Sequence, residues 1–574
     1  MPNIEMIGTR ISSSSRNAFL RGLCLSAILV GSFAAPALAA TPPPAATGLT
    51  GAAEMITADV CVYGATPAGI VAAVAAKQEG CSVVLVEPSR WVGGILGAGI
   101  KPMQDCPEPG AVGGLTKAKV FGAGNDPPTI RESFSRWLQE EKIPVVFEHR
   151  LGRVEKEGPR LARMHLEFAP PDERGVPAPV ARPTAGKTVE AQVVIDASYE
   201  GDCLAAAGVT YAIGREPADQ FHEQPAGVGV PTNWRPIDPY REPGNPASGL
   251  LPLVEADHGK PRGAGDDYTQ AYNFRFYVTS DPAKRAPLTP PADYDPAQFE
   301  LVGRYVQHIL NWAGGHEDKA LPRLASIFPG WRNSGEYNYQ RNSLVTIAPL
   351  GVSRFYQDGD WPLRADVWRQ HIDYLRGLHH FLSTDPRVPE AFRHQTAALG
   401  LDRTMHPDTH GWPHQLYVRI TRRMQGPYVL THADVLNQTQ VADSVGLALY
   451  GVDTYPVRRI AVRDPQTGAM GVATEGNMFL GGARGTGRPY AVPYRAITPQ
   501  AAECANLLVP VCFSASYIAY ASARMEPVFC ILGESSGVAA AQAVRGRHSV
   551  QAVDVKRLQS RLLERGQVLE WNTP

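Results

Sequence analysis

The chain has 574 residues, of which 44% are hydrophobic and 19% charged, and its formal net charge is −1. That length allows two or more domains around a large apolar core, and so even a charge balance points to neither nucleic acid nor an anionic membrane surface as a partner. The eight cysteines include Cys24 near the N-terminus, and the odd remainder shows no C-x-x-C or metal-ligand spacing, which argues against a disulfide framework and against a metal site.

Arg10, Arg16 and Arg21 precede an apolar run from Leu23 to Phe33, and Ala37-Leu38-Ala39 follows. This is the pattern of a signal peptide over residues 1–40, cut near Ala39 or Ala40, and it predicts an exported, periplasmic protein. The run is too short to cross a bilayer, so no transmembrane segment is expected in the mature chain. Ser15 to Arg21 resembles a twin-arginine signal with Asn17 in place of the second arginine. Export in the folded state and general secretion both stay open. Residues 41–57, rich in Pro, Ala and Thr at their start, read as a linker.

The first folded unit begins near Asp59. Val60-Cys61-Val62-Tyr63 is a short β-forming run that stops at Gly64, as a buried parallel strand does. Ala68 to Glu79 has small and apolar residues at helical spacing, with Gly69 permitting close approach to the sheet. A second strand, Ser82 to Val86, is closed by Glu87. A helix N-terminus after a glycine turn favours a pyrophosphate, and an acid after the second strand can accept from a ribose diol. The usual second glycine of the fingerprint is Thr66 here, in Gly64-Ala65-Thr66-Pro67-Ala68-Gly69. The alternative is an ordinary βαβ unit without a ligand.

Trp91 to Gly99 is a glycine-rich loop, with Gly93 and Gly94 at its centre. A helix over 131–142 and a strand over 144–148 lead into a meander, 152–156, 160–168 and 187–191, that returns to a buried strand, Val193 to Asp196. A parallel sheet interrupted by a meander is the layout of flavoproteins with two dinucleotide-binding units, the first sign of a flavin. Residues 58–214 therefore form the first part of a cofactor domain. Over 215–430 prolines, aromatics and histidines crowd into long loops with helices near 299–313 and 365–382, which suits an inserted substrate or cap domain. The cofactor domain resumes over 431–545: a helix over 432–447, strands over 455–463 and 471–478, a strand leading into a turn over 504–516, and a glycine-flanked helix whose start, Gly533 to Gly537, would direct its dipole at a flavin. A C-terminal amphipathic helix lies within 546–574. Cys106 reads as a small buried hydrophobe, with a redox thiol as the alternative.

GATPAGIVAAVAA with VEPSRWVGG, IDASYEGDCLAAAGVTYAIGRE, GWPHQLYVRITRRMQGPYVLTHAD, RPYAVPYRAITP, NLLVPVCFSAS and RMEPVFCILGESSGVAAAQA jointly resemble the FAD-dependent oxidoreductases often labelled xanthan-lyase-like. The resemblance covers most of the mature chain. It implies an α/β architecture: a Rossmann-like parallel-sheet FAD-binding domain of the glutathione-reductase type, with an antiparallel meander and an inserted α+β cap. It implies non-covalent FAD, with Gly64, Thr66, Ala68 and Gly69 at the pyrophosphate and Glu87 at the adenosine ribose. Gly93 and Gly94 would lie by the ribityl chain, Asp196 and Asp202 on the adenosine side, and Gly533, Ser535 and Gly537 along the flavin's second edge.

Two departures matter for catalysis: Tyr517 stands where relatives carry a histidine, and Ile420 where they carry a glutamate. Polysaccharide β-elimination needs no flavin, and no residues here supply it. The candidate bases are His414, His394 and Tyr517, with Arg419, Arg423, Tyr490 and Tyr494 for orienting an oxygen-rich substrate. The function expected is an exported oxidoreductase that removes hydride from a small polar molecule, an alcohol or sugar first, and passes electrons to oxygen, a quinone or a cytochrome. The alternative is a carbohydrate-binding or lyase protein that keeps the nucleotide fold without redox activity.

Overall fold

The computed structural model describes residues 54–571 except 184–185 and 330–333, so the expected signal peptide and most of the expected linker lie outside the described residues. The end of the expected linker is already strand. β1 (Glu54–Tyr63) begins before Asp59 because Glu54 to Ala58 pair with Lys187 to Ala191. α1 (Pro67–Gln78) follows, with Pro67 at its first position and Thr66 as its cap. β2 (Val83–Glu87) lies parallel to β1. α2 (Gly94–Ala98) is a single turn, and α3 (Pro127–Glu140) is capped by Asp126. β3 (Val145–Phe147) extends the parallel sheet; β4 (His149–Glu157) and β5 (Arg160–Phe168) form the meander, and β6 (Lys187–Asp196) returns beside β1. The strand order is β3-β2-β1-β6-β5-β4.

β6 changes partner along its length. Lys187 to Glu190 pair with antiparallel β5, whereas Val194 and Ile195 pair with a parallel strand, Leu507–Leu508, from far along the chain. Val60 and Val62 of β1 belong to the main apolar cluster, and Cys61 and Tyr63 to a second one on the other face. Burial on both faces explains the unbroken apolar run. α4 (Asp202–Ala206) follows β6.

Within 215–430 four helices, α5 (Glu300–Trp312), α6 (Glu317–Leu324), α7 (Trp361–Thr384) and α8 (Glu390–Ala398), accompany an antiparallel sheet of Phe276–Thr279, Arg285–Ala286, Ser334–Tyr337 and Gly400–Asp402. The expected helix over 432–447 is corrected. α9 (His432–Val435) is one turn, stopped where Asn437 takes a left-handed φ of 56°, and Ser444–Ala448 is a strand paired with Tyr490–Pro493. The hairpin Arg458–Arg463 and Met470–Glu475 pairs with Thr232–Arg235 and Glu255–Ala256, so segments before and after residue 430 share a sheet.

α10 (Tyr517–Ala523), α11 (Glu526–Gly546) and α12 (Val555–Glu564) complete the chain. α11 is long and apolar enough to cross a membrane, but 94% of its apolar window is buried in the protein, as a core helix is. It crosses α1 at glycines: a Cβ on Gly533 would stand 2.3 Å from the Ala68 carbonyl, and one on Gly537 2.4 Å from that of Ala72. The cysteines among the described residues are buried and unpaired. Burial pushes the Cys106 thiol up to about 11, which leaves it protonated and inert.

Candidate functional site

The carboxyl ends of β1, β2 and β6 open into one cleft, the position where open α/β sheets take ligands. Gly64 forms its floor. With φ at 95° and Ser198 N only 2.9 Å from where a Cβ would stand, no other residue fits there. Thr66 Oγ1 accepts from Gly69 N–H at 3.1 Å and donates to Ala197 C=O at 2.8 Å, tying the start of α1 to the end of β6. Thr66 has an ordinary extended backbone, so this turn does not need the second glycine. Gly69 is needed for packing, since a Cβ would stand 1.9 Å from the Gly64 carbonyl. Ala68 is buried where α1 meets α11.

Glu87 lines the cleft beside this turn. Its carboxyl accepts from Ala65 N–H at 2.6 Å and from Ser89 N–H at 2.8 Å. Burial raises it from the usual carboxylate range, and those hydrogen bonds work against the rise. Asp202 is on the same wall, forked by Arg364 of α7 at 2.8 and 3.0 Å with Arg422 at 3.3 Å. Burial alone would raise it; the two guanidiniums hold it below the usual range. Glu200, which accepts from Tyr356 hydroxyl at 2.9 Å, is pushed by burial up to about 7. Trp361, Trp368 and Tyr356 line the cleft as well.

Asp196 supports this wall from beneath. It is wholly buried, accepts from Ser198 and from Leu204 N–H, and is pushed up to about 6 by burial; Ser198, not Asp196, faces the cleft. Gly93 and Gly94 carry the chain under it with φ of 90° and 43°. A Cβ on Gly93 would meet the Phe134 ring at 2.8 Å, and one on Gly94 the Tyr199 hydroxyl at 2.6 Å. Gly93 N–H bonds Ala65 C=O at 2.8 Å, so this loop is fastened to the β1–α1 turn.

Of the three candidate bases, His414 lines the cleft. Its ring stacks on Trp91 at 4.9 Å, and His406 stands edge-on at 5.5 Å. Burial, with the His406 and Arg131 charges, pushes it well below its usual range, so it is neutral at pH 7; its Nε2 has no protein partner. His394 is corrected: it is an exposed residue of α8, its side chain 74% accessible, 3.8 Å from Glu390 one turn away. Tyr517 begins α10 and faces another hollow, between Arg215, Val228 and Asn477, with Arg423 over its ring. Arg423 is ion-paired to Glu216 at 2.5 Å. Tyr490 and Tyr494 hydroxyls are spent on Ser522 and the Val550 carbonyl. Arg419 is buried behind the cleft, over the Tyr417 and Tyr455 rings.

The helix start at Gly533 to Gly537 is also corrected. α11 begins at Glu526, with Pro527 in its first turn, so Gly533 and Gly537 are mid-helix packing positions and Ser535 bonds the Val445 carbonyl at 2.7 Å. The positive end of the helix dipole is at Met525 to Val528, without a side-chain cap. Glu526 there accepts from Tyr199 hydroxyl at 2.8 Å and is pushed by burial up to about 8. Sequence reasoning missed Glu200, Arg150, Tyr356, Trp361 and Trp368 on the cleft wall, and Arg364 behind Asp202. Of these only Glu200, inside ASYEGD, lay in a quoted motif.

The site suits a dinucleotide: a glycine cradle that a Cβ would fill, a capped helix start, a carboxyl at the second strand's end, and a neutral histidine on the lining whose Nε2 bonds no protein group. Among curated proteins none matches the chain by sequence. Solved structures resembling part of it include L-proline dehydrogenase from P. horikoshii (19% identity, 29% of this chain and 26% of that one, TM-score 0.18). A geranylgeranyl bacteriochlorophyll reductase-like protein from Thermoplasma acidophilum (18%, 27% and 43%, 0.19) and a flavin monooxygenase from Stenotrophomonas maltophilia (19%, 29% and 44%, 0.19) are similar to the same extent. The matched stretch spans less than half of each of those chains, and at such scores the likeness is partial. The sequence model of the family described as FAD dependent oxidoreductase matches residues 59–562. The chain therefore belongs to the FAD-dependent oxidoreductase family and is an enzyme with FAD as its cofactor.

Proposed function

We propose that the enzyme is an exported dehydrogenase or oxidase that removes a hydride from a small polar organic molecule, an alcohol or sugar first among candidates. The observation that carries this reading is the single cleft that Gly64, Thr66 and Glu87 line together with His414 and Gln415. Bound FAD supplies the two-electron acceptor. The β1–α1 turn would hold the pyrophosphate, Glu87 the ribose and the Gly93-Gly94 loop the ribityl side. His414, neutral and with Nε2 free of protein partners, accepts the proton that an alcohol loses with its hydride. Trp91, stacked beneath it, fixes the ring plane. The wall of Trp361, Trp368 and Tyr356 keeps water from the cleft.

Export is supported by the arginines and apolar run of the leader. Electrons then pass to oxygen, a quinone or a cytochrome, because nicotinamide cofactors are scarce outside the cytoplasm. The test is the visible spectrum of protein purified from the periplasmic fraction, followed by anaerobic addition of pooled sugars, alcohols and amines. Bleaching of a flavin band by one pool is expected, and His414→Ala should keep the flavin while slowing bleaching by about a hundredfold or more. A protein that carries no flavin and takes up none on adding FAD overturns the reading.

A further inference from the structure

Behind the cleft, the chain that follows Gly94 and the start of α11 enclose a second polar recess. Asp105 and Tyr417 keep partial exposure on its wall although the arginines around them, Arg275, Arg419 and Arg524, are buried. Arg524 donates to Tyr417 hydroxyl at 3.3 Å, to Gln270 Oε1 at 3.3 Å and to the Asp453 carbonyl at 2.9 Å. Arg275 is paired with Glu336, and Arg341 and Arg524 share Asp453.

Arg419 differs from these neighbours. Its guanidinium lies 4.3 Å from the Tyr417 ring centre and 3.9 Å from that of Tyr455. It donates to the Ala271 carbonyl, but Nε and Nη2 have no partner, and among the described residues no carboxylate pairs with it. Arg524 Nε is unpartnered as well. A cation stripped of water and left without an anion is costly, and a planar fork of free N–H groups matches a carboxylate in two places.

The recess adjoins the cofactor side. Tyr199, on the cleft wall, donates to Glu526, two residues beyond Arg524. A Cβ on Gly99 would stand 3.1 Å from the Arg275 carbonyl, so the loop after Gly94 forms the other wall. Its outer rim holds Phe479, 40% exposed, with Arg341 4.4 Å above its ring.

We propose that this recess recognises the substrate, and that the alcohol oxidised is a hydroxy acid: its carboxylate sits on Arg419, assisted by Arg524 and Tyr417, while its hydride goes to the flavin and its hydroxyl proton to His414, as above. This deepens the oxidoreductase reading above and rests on it. The experiment is an anaerobic spectral titration of the flavin-loaded protein with D-gluconate, D-glucuronate and L-lactate, against D-glucose and lactamide as uncharged counterparts. The acids should perturb or bleach the flavin band at roughly tenfold or more lower concentration than the uncharged compounds, the size of a charged hydrogen-bond contact. Arg419→Gln should abolish that preference with flavin content unchanged, and Arg419→Lys should restore part of it. Tyr417→Phe, which removes one oxygen, should weaken the acids alone and serves if Arg419→Gln does not fold. Equal responses to acids and uncharged compounds, no response to any of the acids, or a preference that survives both variants overturns the inference. A protein without flavin is a different failure, since it removes the oxidoreductase reading itself.

Discussion

Where α11 crosses α1, glycine is set against backbone: Gly533 and Gly537 leave no room for a methyl group beside the Ala68 and Ala72 carbonyls. Just before the same helix begins, Arg524 and its neighbour Arg419 are equally buried, yet carry guanidinium nitrogens that bond nothing in the protein. The two regions share a helix and a degree of burial and differ in completeness. The crossing closes on itself through contacts the chain supplies, whereas the recess is finished only by something from outside. The difference separates what holds this fold together from what the fold is for.

The sharpest break should come at the crossing. Gly533→Val drives a branched side chain into the Ala68 carbonyl, and such overpacking is expected to destabilise by about 3 kcal/mol, read as a lower urea midpoint. An unmoved midpoint would mean the helices part freely, and the contrast would fail. Arg364→Met opens the fork on Asp202 but leaves Arg422 at 3.3 Å. Breaking this buried pair should cost about 2 kcal/mol, less than a pair left wholly unpartnered, and should lower flavin content where the cap meets the cleft.

Glu526 sharpens the comparison through pH. Burial takes it from 4.5 to about 8 although Tyr199 donates to it. Between those values the folded, flavin-free chain holds a proton that the unfolded chain has released. Its contribution is therefore complete below pH 4.5 and lost as pH rises through about 8. Glu526→Gln should flatten this dependence, the wild type losing about 1 kcal/mol per pH unit relative to the variant between roughly pH 5 and 8; parallel profiles would contradict the buried, protonated carboxyl. The smallest effect belongs to His394→Ala, expected within about 0.5 kcal/mol of the parent and with unaltered flavin reduction. A slowed reduction would return this exposed residue to the site.

The β1–α1–β2 unit was legible because its signals are local: an apolar strand, a glycine turn, a capped helix start and a closing acid within one short stretch. Thr66 could be read as a departure from a glycine pattern, but not as the cap whose hydroxyl reaches Ala197, because that contact joins distant segments. Gly533 to Gly537 misled for the same reason. Glycine before small residues resembles a helix start, and only the neighbouring helix reveals that those positions serve close approach; Pro527, a local sign of the true start, was the better guide. His394 and His414 are indistinguishable as letters, and burial against Trp91 separates them. The recess gathers Asp105, Arg275, Arg419, Tyr417 and Arg524 from four stretches of chain, so no spacing rule could assemble it.

The change of partner along β6 governs when this enzyme can come into being. The strand Leu507–Leu508 that completes the sheet beside Val194 and Ile195, and the helix that backs the phosphate turn, are both made after the whole cap has been synthesised. A nascent chain therefore holds the first half of its cofactor cradle open while more than half of the polypeptide is still to come. Closure over such sequence distances is slow, and the cradle is complete only when the later part of the chain folds back onto its first.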